Sequence, residues 1–209
     1  MQRKCGGCTL CCKLMPMKAE KRPDYERTVV GAIAVGMIKL DEALRMVPDI
    51  NKPAGVRCPH QRTGAGCRIY DTRPFGCRMW NCRWLVNDDT ADLSRPDRSH
   101  YVIDIAPDFV TITEDDKPNR IMQVVQIWVD AAYPNAWREP ALRAYIERRA
   151  REGIATLIRI AHPDQREAIG VFAPPLGNWD EKHSTARETE HTIEEKLAAL
   201  GSMTLRLSG

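Results

Sequence analysis

Cys5-Gly6-Gly7-Cys8-Thr9-Leu10-Cys11-Cys12 places four of the chain's eight cysteines within eight residues. Thiols at i, i+3 and i+6 lie on a segment short enough to fold back on itself, so that neighbouring sulfurs reach one ion at about 2.3 Å for zinc. Three such thiols in a row can also wrap one face of a cubane iron–sulfur core. Gly6 and Gly7 suit this geometry, because glycine permits positive φ and leaves backbone N–H groups to face sulfur. Cys11 and Cys12 are adjacent, and on an extended chain such neighbours point apart. The pair is therefore not expected to serve one ion: one of the two serves a second metal or stays a free, reactive thiol.

The other four cysteines, Cys58, Cys67, Cys77 and Cys82, complete a set confined to the first 82 residues. Cys77 and Cys82 would sit about 140° apart on a regular helix, so either the helix frays near Asn81 or the two serve different centres. A chain stapled by disulfides would be expected to bridge both halves. No apolar stretch follows the basic N-terminus, so a secretory leader is not expected, and in a reducing compartment clustered thiols indicate metal or redox chemistry. The expected location is cytoplasmic.

Composition agrees with a folded domain. The 209 residues are 43% hydrophobic and 28% charged, ordinary for a globular chain. The longest apolar run, Val29 to Ile38, is far short of the roughly 18 residues a membrane span needs. Residues 1–98 carry 18 Lys/Arg against 11 Asp/Glu, a balance of +7, and residues 99–209 carry 13 against 17, a balance of −4, matching the overall +3. The basic half also holds every thiol, and a four-thiolate zinc or cubane site carries about two negative charges. The excess is read as neutralising that charge. Nucleic-acid binding is not expected, since no aromatic RNA motif or basic recognition helix accompanies it.

The run CxxCxxCC at 5–12, Cys58-Pro59-His60, and the block from Gly66 to Cys82 (G-C-x-I-Y-x-x-R-P-x-x-C-R-x-W-x-C) together resemble the YkgJ-type cysteine-cluster family, the zinc- or iron-chelating CxxCxxCC domain. All eight cysteine positions of that family are filled, over about residues 4–83. A similar block occurs in flagellin lysine N-methylases, where it is associated with an iron–sulfur cluster. The resemblance implies metal chelation by Cys5, Cys8, Cys11, Cys12, Cys58, Cys67, Cys77 and Cys82. Arg73 and Arg78 flank Cys77 in the matching block. They are candidates either for surface salt bridges or for N–H donation to thiolate sulfur beside a bound cofactor. His60 is a candidate ligand or a hydrogen-bond partner of one.

Between the cysteine blocks, Tyr25, Val29, Ile33, Met37, Leu40, Leu44 and Val47 recur every three or four residues, predicting one amphipathic core helix capped by Asp24 and ended by Pro48. A second helix is predicted from Asp71-Thr72, carrying Trp80 and Trp84 one turn apart as a lid that dries the metal site. Tyr101–Ile105 and Phe109–Thr113 read as a hairpin about Ala106-Pro107-Asp108, with Ile121–Val129 a third strand. Residues 139–152 read as helix, 154–160 as strand and 183–200 as helix. The expected class is α+β. Its parts are a helical, cysteine-rich metal-binding region over 1–86, a linker or loop over 87–99, a small antiparallel sheet with helices over 100–172 packed on the first part, and a linker with a C-terminal helix over 173–209.

Three functions remain open on these grounds. The first is a protein chelating an iron–sulfur cluster, with a 4Fe–4S core favoured by the three-thiol run. The second is an interaction module built on two structural zinc sites of four thiolates each. The third is an iron–sulfur enzyme related to the lysine N-methylases. Soft thiolates accept zinc and iron alike. Metal ions are the expected partners; no phosphate loop, GxSxG, HExxH or GxGxxG points to another substrate.

Overall fold

The computed structural model describes residues 3–17, 22–47, 50–105, 108–112, 120–163, 167–172 and 181–185. Its class is α+β. The first element, α1 (Leu10–Leu14), carries Cys11 and Cys12 and ends at Met15, which is extended at φ −72°, ψ 132° because it precedes Pro16. Leu14 is fully buried.

The single helix predicted over Tyr25–Val47 is two helices, α2 (Arg22–Ala34) and α3 (Leu40–Arg45). Gly36 adopts φ +74°. Its N–H donates to the Ile33 carbonyl at 3.0 Å, while that of Met37 donates to Ala32 at 2.9 Å, the paired bonds that close a helix on a left-handed glycine. Val30, Val35, Met37, Leu40 and Leu44 are exposed, Leu44 at 78%, so this hairpin is not the core helix its periodicity suggested. Pro48 lies outside the described residues. What closes the excursion is a backbone pair between Met17 and Lys52, at 2.9 and 2.8 Å.

A small hairpin, β1 (Gln61–Arg62) and β2 (Gly66–Cys67), precedes α4 (Phe75–Met79) and α5 (Arg83–Val86). These replace the one helix expected from Asp71. Trp80 and Cys82 are extended: Cys82 forms a backbone bridge to Asp104, and the Trp80 indole N–H donates to the Asp104 carboxylate at 2.8 Å. Long-range pairing thus overrides helix propagation here. Residues 87–99, polar enough to read as a linker, contain a 3-10 turn (Asp88–Thr90) and α6 (Pro96–Ser99), with Thr90, Leu93 and Pro96 buried.

The main sheet contains β3 (Tyr101–Ile103), β4 (Asp108–Ile112), β5 (Arg120–Asp130), β6 (Ala155–Ala161), β7 (Glu167–Phe172) and β8 (Glu181–Thr185). β3 and β4 do not pair with each other as the hairpin reading expected. Both run antiparallel along the same side of β5, with Tyr101 opposite Val129 and Ile112 opposite Arg120. The chain keeps its direction past Pro107 and reverses between β4 and β5; residues 106–107 and 113–119 lie outside the described residues. β5 and β6 are parallel, joined by the crossover helix α7 (Pro140–Arg151); the remaining pairs are antiparallel. His183 falls in β8 rather than in the helix expected over 183–200, and residues 186–209 lie outside the described residues.

Strand alternation divides the core. Tyr101, Ile103, Val125, Ile127 and Val129 pack with Leu142, Tyr145 and Ile146 of α7. Val102 and Trp128, pointing the other way, pack with Leu14, Ala54 and Cys82. The cysteine-bearing segment is therefore seated on one sheet face and α7 on the opposite one. A fully buried aliphatic side chain such as Leu14 contributes about 1.5–3 kcal/mol to that seating.

Candidate metal centre

All eight cysteines are free thiols. Local structure brings them together from four directions. Gly6 turns the first loop at φ +52°, and Gly7 permits close approach: a Cβ there would stand 2.3 Å from the Gly64 carbonyl oxygen. The β1–β2 hairpin is thereby pressed onto the 5–8 loop, and Gln61 donates to the Thr9 hydroxyl at 2.8 Å. The Cys58 N–H donates to the Cys12 carbonyl at 3.1 Å, and the Gly55 N–H to that of Leu14 at 3.2 Å. These bonds carry the second block to the C-terminal side of α1.

The thiols fall into two groups. Cys5, Cys8, Cys11 and Cys82 surround an enclosed space of about 10 Å3, closed by Trp84, Leu85 and Pro96. Cys12, Cys58, Cys67 and Cys77 lie within electrostatic reach of one another. Cys11 and Cys12 lie in a helix, not an extended chain, and project about 100° apart, so Cys11 faces the first group and Cys12 the second; the two groups adjoin there, since the Cys11 and Cys12 thiols share a hydrogen bond and Cys12 also acts on Cys5. The chain between Cys77 and Cys82 breaks from helix, the first of the two options raised by their spacing, and the two thiols lie in different groups.

Burial raises the Cys77 thiol to about 12 and that of Cys82 to about 11. It also raises Cys5, Cys8 and Cys67. A hydrogen bond with Cys12 raises Cys11, with burial adding to it; the same bond lowers Cys12, helped by the charges of Lys52 and Arg73. Arg73 favours thiolate at Cys5, Cys12, Cys67 and Cys77, and Arg95 does so at Cys5 and Cys8. Cations interleave the sulfurs, as the charge balance of this half suggested.

As thiols the side chains do not converge. Cys5 donates to the Cys8 carbonyl at 3.3 Å and Cys77 to the Met17 sulfur at 3.2 Å. Among the described residues no three His, Cys, Asp or Glu side chains stand close enough to hold one ion. Each thiol turns on a single torsion with three staggered wells, and four soft sulfurs per group is the donor chemistry that zinc and iron–sulfur cores require.

Arg73 stacks its guanidinium 3.8 Å from the Tyr70 ring centroid and donates to the Tyr70 carbonyl at 2.8 Å. Arg78 donates to the Asp71 carbonyl and lies 4.0 Å from the Glu42 carboxylate. Both therefore have oxygen or ring partners, and Arg73 acts on the sulfurs through its field. The carbonyl of His60 accepts from the Arg68 N–H at 2.9 Å. His100 adopts φ +63° and stacks on Tyr133 at 3.6 Å, on an open cleft of about 400 Å3 that contains no cysteine. His191 and the acidic run 114–116 lie outside the described residues.

Two cations were missed by sequence reasoning. Arg95 sits in the segment taken for a linker, and Lys52 in a polar stretch before Pro53; neither carries a motif that would flag it. Trp84 lies over the first group as the lid reading expected, whereas Trp80 packs with Leu14 and Trp128. No helix among the described residues is long and apolar enough to cross a membrane.

Residues 4–96 match a family model, CxxCxxCC, described as "Putative zinc- or iron-chelating domain". No curated protein and no solved structure matches the chain.

Proposed function

We infer that residues 4–96, which match the model of a zinc- or iron-chelating domain, hold metal through their eight cysteines at two centres of four thiolates each. Cys5, Cys8, Cys11 and Cys82 form the first; Cys12, Cys58, Cys67 and Cys77 form the second. The observation that supports this reading is that Cys5, Cys8, Cys11 and Cys82 line one small space while Cys58, Cys67 and Cys77 lie within electrostatic reach of Cys12, the two fours meeting at adjacent Cys11 and Cys12. Three thiols at i, i+3 and i+6 with a remote fourth match the ligand pattern of a 4Fe–4S core, in which a neighbouring cysteine can serve another cluster. An iron–sulfur core is accordingly our reading of the first centre. When bound, it would supply one-electron redox chemistry. The chain's own residues supply thiolates, a dry cover from Trp84, Leu85 and Pro96, and positive field from Arg73 and Arg95. Eight unpaired thiols suit a reducing compartment such as the cytoplasm.

Two zinc ions are the second reading, favoured by the size of the enclosed space. About 10 Å3 accommodates roughly one water-sized particle, so a cubane requires the four sulfurs to swing outward. Anaerobic purification followed by iron, sulfide and zinc analysis separates the two. Acid-labile sulfide together with iron and visible absorbance supports the first reading, and colourless protein with about two zinc ions per chain supports the second. Protein that retains neither metal overturns both.

A further inference from the structure

Lys52 is only 6% exposed. Its ammonium donates to four backbone carbonyls, those of Met15 at 2.5 Å, Val56 at 2.8 Å, Lys13 at 3.1 Å and Pro53 at 3.2 Å. Two of these carbonyls belong to the segment leaving Cys12, and two to the segment approaching Cys58. Three N–H groups serve four acceptors, so the head group is fixed at a crossing of the two strands of chain that deliver the second thiol group. Its backbone adds the two bonds with Met17, next to Cys77 in space.

Carbonyl oxygens hold an ammonium in place but leave its charge uncancelled, and burying an uncancelled charge is costly. Among the described residues no carboxylate pairs with Lys52. The strongest charge effects on it come from Cys58, Cys12, Cys11 and Cys77, three of which belong to the second group. Four thiolates around zinc or a cubane carry about two negative charges. Resting on the two-centre reading above, we propose that Lys52 is the buried counter-charge of the Cys12, Cys58, Cys67 and Cys77 centre, a positioning residue whose ordered burial and that centre's metal depend on one another.

Cobalt(II) titration of the full-length chain tests this through thiolate-to-cobalt absorbance, with a competing chelator to grade affinity. Wild type is expected to fill both centres. Lys52→Met is expected to weaken one centre by about 10–100-fold, the usual cost of losing a partner that supports metal ligands, and to spare the other. Lys52→Arg, which keeps the charge but cannot reproduce the four-carbonyl seat, is expected to recover most of the loss; a purely structural lysine would leave both variants equally impaired. Amine-reactive labelling of wild type, read by mass spectrometry, is the second measurement and does not depend on a variant folding. Lys52 should be protected with cobalt bound and labelled once it is stripped. Equal affinity in wild type and Lys52→Met, equal impairment in the two variants, or labelling indifferent to metal overturns the assignment of Lys52. A wild-type chain that takes up no cobalt would instead overturn the two-centre reading itself.

Discussion

The Lys13 ammonium lies 2.6 Å from the carboxylate of Asp130, joining the residue after Cys12 to the last residue of β5. Asp130 is 4% exposed and also accepts the Ala132 N–H at 3.0 Å. The pair is a charged tie between the thiol-bearing helix and the sheet, made where Leu14 of the same helix enters the apolar layer with Val102 and Trp128.

Asp130→Ala should therefore destabilise the protein by about 3 kcal/mol, because removing one partner leaves the other charge poorly compensated. Chemical denaturation measures this through the shift in midpoint at unchanged slope. A loss below about 0.5 kcal/mol would place the pair among surface ion pairs of little consequence.

Cys11→Ser and Cys12→Ser should have different effects despite being neighbours. The first should empty the centre that includes Cys82, and the second the centre that includes Cys77. Cys82→Ser should then reproduce the metal content and spectrum of Cys11→Ser, and Cys77→Ser those of Cys12→Ser. If both α1 variants gave the same spectrum, the division of the thiols would be wrong.

The gathering of the first four thiols was legible because cysteines two residues apart stay close along the chain, and the strand–helix–strand run over 120–161 was legible from its apolar pattern. Other parts depended on contacts that no local pattern carries. Gly36 reads equally as a helical residue or a stop, and only its left-handed conformation decides. Ala106-Pro107-Asp108 carries turn residues, yet the strands on either side of it, β3 and β4, both run antiparallel to β5 and do not form a hairpin with each other. Cys82 leaves the helix because Asp104, more than twenty residues on, claims its backbone. The burial of Lys52 is likewise invisible, since a lysine in a polar stretch ordinarily faces water.

Gly7→Ala should weaken the first centre selectively. The added methyl would stand 2.3 Å from the Gly64 oxygen, well inside contact distance, so the 5–8 loop must lift from the β1–β2 hairpin and carry Cys5 and Cys8 away. Metal analysis should show loss from the Cys5, Cys8, Cys11 and Cys82 centre ahead of the other. Full metal content in Gly7→Ala would mean that the loop tolerates displacement.

Metal uptake should tighten as pH rises. Burial raises the Cys77 thiol to about 12 and that of Cys82 to about 11, so at neutral pH these thiols keep their protons, and metal binding must expel them. Raising the pH from 6.5 to 8 lowers that cost, which sets the sign: affinity for zinc(II) increases and protons appear in the buffer. Calorimetry in buffers of differing ionisation enthalpy counts the protons released. Stripping the metal, by chelator or by Cys8→Ala, should accelerate hydrogen exchange across residues 4–85 while β5, β6 and α7 keep their protection, because the latter pack around Ile127, Leu142 and Tyr145 on the face turned away from the thiols. Simultaneous loss of protection in both regions would show that metal holds the whole chain rather than its cysteine-bearing layer.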